Sequence, residues 1–237
     1  MLEALLGGLL AGTLAGSLGV GGGAITIPIL LFIFKLPAPK AIATNLLVVE
    51  ATALFSLFFH LRQGTLRKVG VIMGLSGVLG TIVGNAIFFE LAKGYMLEKV
   101  LGGVFLFLAV LMWINEEGQE ELSLEKLVIV GFLAGIYSGV IGKGGGSLAV
   151  PLLVMMFKVR TKEAIGATAA STPIIALSSL IPKALSGLVV YQVALWFAPG
   201  AAVGTMIGSK LMKKGSPKLL RRIFSLFLAS VGLKLLL

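Results

Sequence analysis

The chain has 237 residues, 57% of them hydrophobic and only 13% charged, with mean hydropathy +1.05. A soluble domain carries about 25% charged residues, so composition alone excludes an ordinary water-soluble fold. The formal charge of +10 comes mainly from Lys and Arg at the ends of apolar runs, where such residues anchor membrane helices. It does not point to nucleic acid, since no basic patch has the interleaved aromatics of a nucleic-acid surface.

In chain order, the first apolar piece is 4–19. It carries Glu3 in place of a basic leader region, and it is expected to be structural rather than a cleaved signal. Gly8, Gly12 and Gly16 are spaced four apart, the pattern of close helix packing. The triplet Gly21-Gly22-Gly23 follows, then a short apolar piece, 24–34. At 1.5 Å per residue this second piece is under about 20 Å long, too short to cross a membrane alone. Three spans come next, at 41–61, 69–90 and 96–114, most of them near the roughly 20 residues needed to cross about 30 Å of hydrocarbon. The acidic stretch from Glu116 to Glu125 reads as a linker.

The pattern then repeats. Shifted by 123 positions, Gly8, Gly12, Gly16 and the triplet fall on Gly131, Gly135, Gly139 and Gly144-Gly145-Gly146, and Pro28 falls on Pro151. The second copy has the pieces 127–142 and 147–157 and spans at 164–181, 189–208 and 222–237. The predicted fold is therefore an all-α polytopic membrane protein. Residues 1–115 form one repeat, 116–126 the linker and 127–237 the other. Each repeat is a broken or re-entrant glycine-containing hairpin plus three transmembrane helices. Three crossings per copy make the repeats inverted. The Lys and Arg bias is the same for inverted and parallel repeats, so segment length carries that expectation.

The two glycine breaks are the candidate binding elements. Paired irregular breaks in two halves of a membrane protein point to a transporter site between them. Glycine lets backbone approach a ligand and adopt positive φ. A helix start offers unpaired N–H groups and partial positive charge. Lys143 stands directly before the second triplet, where the first copy has Val20. A lysine inside apolar sequence is costly and usually functional. Gly21, Gly22, Gly23, Lys143, Gly144, Gly145 and Gly146 are the predicted anion-binding set. Asn45 and Thr168, equivalent in the two copies, join it, with Thr44, Ser171 and Thr172 nearby; these side chains either hydrogen-bond an oxyanion or bond a neighbouring helix.

Glu50 lies midway along the 41–61 span, with Pro173 in the equivalent place. It is either a buried carboxylate paired with a hydroxyl or Lys, or the group that couples a proton or cation. His60 and Lys183 are equivalent positions at helix ends and are expected to be interfacial anchors. The four-spaced glycines, including Gly80/Gly84 and Gly204/Gly208, are assigned to packing.

The duplicated G-x-GGG-x4-P pattern, followed by Ala41-Ile42-Ala43-Thr44-Asn45 and Ala164-Ile165-Gly166-Ala167-Thr168, resembles the sulfite exporter TauE/SafE family of membrane transporters over nearly the whole chain. The resemblance implies a transporter of sulfite, sulfonates or related sulfur-containing anions in the cytoplasmic membrane. An anion channel, or a carrier of another small anion such as a carboxylate, is the alternative. An enzyme is disfavoured: all ten acidic residues are Glu, and there is one His and no Cys. That removes intramembrane aspartyl chemistry, thiol nucleophiles and most metal sites. No cofactor is implied. The expected partners are the anion, membrane lipid and a possible coupling proton or cation.

Overall fold

The computed structural model describes residues 1–18, 23–62, 69–111, 120–212 and 217–237. They form an all-helical assembly: α1 (Leu2–Leu18), α2 (Gly23–Phe32), α3 (Ala38–Arg62), α4 (Gly70–Leu91), α5 (Met96–Leu111), α6 (Leu124–Ile141), α7 (Gly146–Pro151), α8 (Thr161–Leu185), α9 (Tyr191–Met212) and α10 (Pro217–Leu236). Among the described residues, four stretches are long and apolar enough to cross a membrane: Ala38–Phe58, Gly70–Leu91, Leu124–Ile141 and Glu163–Leu185. Long apolar side chains such as Leu75, Leu79 and Ile82 on α4 are exposed, as a lipid-facing surface requires. The fold is that of a multi-pass membrane protein.

The helices follow the internal repeat. A shift of 123 carries α3 onto α8 end to end, and α1 and α2 onto α6 and α7 within a residue or two at their starts. Even a local strain recurs: Lys35 and Lys158, equivalent residues after the second hairpin arm, both have φ 52°. That arm differs in detail. Beyond Pro151, α7 gives way to a π-turn over Leu152–Met156, closed by the Phe157 N–H donating to Leu152 O, five residues back, at 3.3 Å.

The second hairpin comes back to the level at which it starts. Ser123 caps α6, so Leu124–Lys126 belong to that helix. Glu120 pairs with Val159 in an isolated parallel bridge, and the Lys126 ammonium donates to Phe157 O at 3.3 Å. Lys126 also pairs with Glu120, while Arg160 pairs with Glu121 and Glu163. The chain therefore runs out along α6 and back along α7 and the π-turn, a hairpin whose two ends meet. In the first hairpin, a β-carbon on Gly7 of α1 would lie 3.3 Å from the Phe34 ring beyond α2, so its arms also close on each other.

Packing crosses between the copies. α1 lies along α9, and α4 lies along α6. Both contacts are backbone to backbone. Added β-carbons on Gly8 and Gly12 would collide with the carbonyl oxygens of Phe197 and Ala201, and on Gly200 and Gly204 with those of Leu5 and Leu9. The same holds in the other pair: Gly80 and Gly84 abut Phe132 O and Ile136 O, while Gly131 and Gly135 abut Met73 O and Gly77 O. Small residues are what let membrane helices approach this closely. α3 and α8 pack on each other between these two pairs, and α5 on α10.

Candidate functional site

The two hairpins meet through α3. Asn45 is fully buried, and its Nδ2 donates to Gly142 O at 2.6 Å. Gly142 ends α6 in the left-handed conformation, φ 73°, with its N–H on Ser138 O. A residue with a β-carbon would be strained there and would also press on Ile42. The left-handed cap turns the chain so that Lys143 follows on the inside, 4% exposed. Gly23, at the start of α2, closes the group: a β-carbon on it would lie 3.0 Å from Asn45 Nδ2 and 3.2 Å from Lys143 Cγ. One residue from each glycine break and one from α3 thus come together, and they come from both sequence copies. Gly21 and Gly22 lie outside the described residues.

The polar atoms here are incompletely satisfied. Lys143 Nζ has no hydrogen-bond partner among the described residues. It lies 4.2 Å from the centroid of the Phe105 ring on α5, a cation–π contact that stabilises charge without accepting a directed proton. Since Nδ2 is committed to Gly142 O, Asn45 Oδ1 is the side that also lacks a partner. A buried ammonium with no acceptor is expensive, and a site of this kind is where a structure meets an outside group.

The triplet on the second side is tightly enclosed. Gly144 and Gly145 have φ 70° and 76°. A β-carbon on Gly144 would strike the Val49 side chain of α3, and one on Gly146 would lie 2.9 Å from Thr172 Oγ1. The expected fan of free N–H groups is narrower than the sequence suggests. The Gly146 N–H donates to Gly144 O at 2.9 Å, and the Leu148 N–H to Gly145 O at 3.1 Å. Charge at this break therefore comes mainly from Lys143.

Other candidates fall in different places. Thr168 is buried, but its hydroxyl donates to Ile165 O at 2.9 Å within its own helix. Thr172, one turn on, is the α8 hydroxyl that meets the triplet. Thr44 Oγ1 accepts from the Val190 N–H at 3.0 Å, a purely interhelical contact. Glu50 is 8% exposed, and its Oε2 has no partner among the described residues, so a hydroxyl or lysine pairing of that oxygen is not found. It directly follows Val49, the residue against Gly144.

The expectation for Lys183 is corrected. It is 0% exposed, not an interfacial anchor, and its ammonium donates to Asn85 Oδ1, to Gly139 O at 2.7 Å and to Ser179 O at 3.4 Å. A lysine in the last turn of a long helix ordinarily reaches out to water; here Gly139 has no side chain to exclude it, so it turns inward. The side chain of His60, its counterpart, lies outside the described residues.

Comparison with known proteins gives a consistent result. The model of the sulfite exporter TauE/SafE family matches residues 4–235. A protein of Methanocaldococcus jannaschii described as a probable membrane transporter is 28% identical over 92% of this chain and 89% of its own length. One of Xylella fastidiosa with the same description is 30% identical, covering 91% and 87%. A Bacillus subtilis protein, again a probable membrane transporter, is 26% identical, covering 92% and 93%. None of the solved structures matches the chain.

Proposed function

Because the chain belongs to the sulfite exporter TauE/SafE family and is a multi-pass membrane transporter, we propose that it carries a small sulfur-containing oxyanion across the cell membrane, bound at Lys143 between the two glycine breaks. The observation that carries this reading is the buried Lys143 ammonium with no hydrogen-bond acceptor among the described residues. At an effective dielectric near 20, an anion about 4 Å from it gains roughly 4 kcal/mol before desolvation. Gly23 leaves room beside the Lys143 stem, and Gly144, Gly145 and Gly146 allow the break that follows Lys143 to pack closely on its neighbours; in this reading the first triplet's Gly21 and Gly22 complete the set by the sequence repeat.

Asn45 narrows the substrate. Its Oδ1 can only accept a hydrogen bond, so it favours an anion that keeps one donor. Hydrogen sulfite, or a sulfonate bearing an N–H or O–H group, fits better than a bare dianion. Glu50 is the coupling group in this reading: its buried carboxyl, with Oε2 unpartnered among the described residues, exchanges a proton during the cycle. Residues 1–115 and 127–237 act as inverted repeats on either side of the site, joined by 116–126. The re-entrant return of α7 supports an odd number of crossings per repeat.

The test is a binding screen of purified protein with sulfite, thiosulfate, sulfonates, sulfate and simple carboxylates, repeated as pH is varied across the protonation range of sulfite. Binding of hydrogen sulfite or a donor-bearing sulfonate in preference to sulfate is the expected result. Preference for carboxylates over every sulfur anion would sink the assignment. In vesicles, Glu50→Gln should keep binding and lose the pH dependence of flux; full pH dependence in that variant returns Glu50 to a structural role.

A further inference from the structure

The surroundings of Lys183 hold a second polar group that the anion reading does not use. The lysine lies near the end of α8 and is fully buried. Its three protons meet three neutral oxygens: Asn85 Oδ1 from α4, Gly139 O from α6 and Ser179 O from its own helix. The Phe88 ring lies 4.3 Å below the ammonium. No carboxylate pairs with it among the described residues. Of the ionisable groups on the elements packed around it, Glu90 is exposed on Lys93, Glu163 pairs with Arg160 and Tyr137 takes a hydrogen bond from Ser147.

Two backbone carbonyls and one amide carbonyl, all neutral and hard, are the donor chemistry that holds a desolvated monovalent cation in a membrane protein. The Gly139 carbonyl adds to this, because it lies in the last turn of α6, at the negative end of that helix. Gly139 is required at the spot: a β-carbon would press on the Gly84 and Asn85 backbone. The surroundings are reinforced by Ser179, whose hydroxyl donates to Ser138 O at 3.0 Å, the same oxygen that receives the Gly142 N–H.

We propose that Asn85 Oδ1, Gly139 O and Ser179 O form a monovalent-cation site whose occupant is the protein's own Lys183 ammonium. The tethered cation fastens α8 to α4 and α6 and so holds the turn that presents Lys143. Asn85 comes from the first sequence copy and Lys183 from the second, so the site joins the two. The first copy has no matching set: His60 stands in place of Lys183, and Ser209 follows Gly208 where Asn85 follows Gly84.

The site should accept a free cation once the tether is cut. Lys183→Ala removes the ammonium and leaves the three oxygens, whereas Lys183→Met removes the charge and fills the space. The measurement is the thermal stability of each purified variant, with no transported anion present, against methylammonium, Na+ and K+, with choline as a control too large to enter. Lys183→Ala should be stabilised in a saturable way by methylammonium or a small alkali cation, and Lys183→Met should not. In vesicles the same cation should recover flux from a loss of at least about tenfold, the scale of leaving buried acceptors unmet. Should the single variant fail to fold, Lys183→Ala/Asn85→Asp carries the test, since its carboxylate draws the added cation more strongly. Equal response of the Ala and Met variants, or no response to any cation in both the single and the double variant, overturns the proposal. Because the stability arm contains no anion, its failure leaves the Lys143 reading standing, and the converse holds as well.

Discussion

The two copies of the repeated unit build nearly the same helices but distribute charge unequally. Where the first has Val20 and His60, the second has Lys143 and Lys183. Both lysines are buried, and each lies over a phenylalanine ring, Phe105 or Phe88. One has three oxygen partners and the other has none among the described residues. The two copies thus share the scaffold, which depends on glycine spacing, and differ in single buried charges carried by one of them. The two lysines also differ in kind: the saturated one bonds to three helices, and the unsatisfied one is the group to which the proposed anion would bind.

The largest effect that could break this comparison is one of orientation. Under inversion, cysteines placed at the exposed positions Pro37 and Thr161 lie on opposite sides of the membrane. An impermeant thiol reagent should label one and wholly spare the other, with no native cysteine to confuse the result. Labelling of both from one side makes the copies parallel.

Next comes loss of the fold. Gly12→Val and Gly135→Val place side chains against Ala201 O and Gly77 O. Each should abolish monodisperse protein, since backbone cannot yield as a side chain can. Survival of one but not the other would show that the copies contribute unequally to the scaffold.

Lys143→Met should fold and lose at least about tenfold in anion affinity, the equivalent of one 1.4 kcal/mol interaction. Adding Val20→Lys to it moves the charge to the first copy, and any recovery of binding would mean that the two breaks are interchangeable. Affinity unchanged in Lys143→Met would leave backbone N–H groups as the anion donors.

The smallest effect separates two adjacent glycines on α5. Nothing lies within 4 Å of a β-carbon on Gly103, whereas one on Gly102 would lie 2.8 Å from Gly232 O on α10. Gly103→Ala should be neutral or stabilising by up to about 1 kcal/mol, and Gly102→Ala should lower the melting temperature. Equal behaviour would mean that the α5–α10 contact gives way at little cost.

Much of the helix plan was legible because apolar length and glycine punctuation act locally. The span expected at 164–181 is α8, with about a turn more at each end, and of the four-spaced glycines Gly8, Gly12, Gly80, Gly84, Gly131, Gly135, Gly139 and Gly204 are packing residues. Their partners were not legible. A ladder such as Gly8-x3-Gly12 declares a face but not the helix it meets, and each ladder meets the other copy. Lys143 stood out because a charge beside a glycine break has no structural reason to be there. Lys183 did not, since its burial depends on Gly139 and Asn85, far away in sequence. Thr168 looked equivalent to Asn45 by position, but a threonine hydroxyl reaches its own helix carbonyl, and an asparagine amide is long enough to cross to Gly142.

The pairing of α1 with α9 sets a problem of timing. Of the helices described, α1 leaves the ribosome before the others, and the glycine face that fits it, Gly200 and Gly204 on α9, is made only after some 180 further residues have been threaded. At about 5–20 residues per second, that is a wait on the order of ten seconds or more. Throughout it α1, with its exposed Leu2, Leu6, Leu10 and Leu14, must be sheltered by lipid or by the insertion machinery. α4 waits only for the next hairpin. Biogenesis should therefore proceed outward from the α4–α6 seam, with the α1–α9 and α5–α10 seams closing after it.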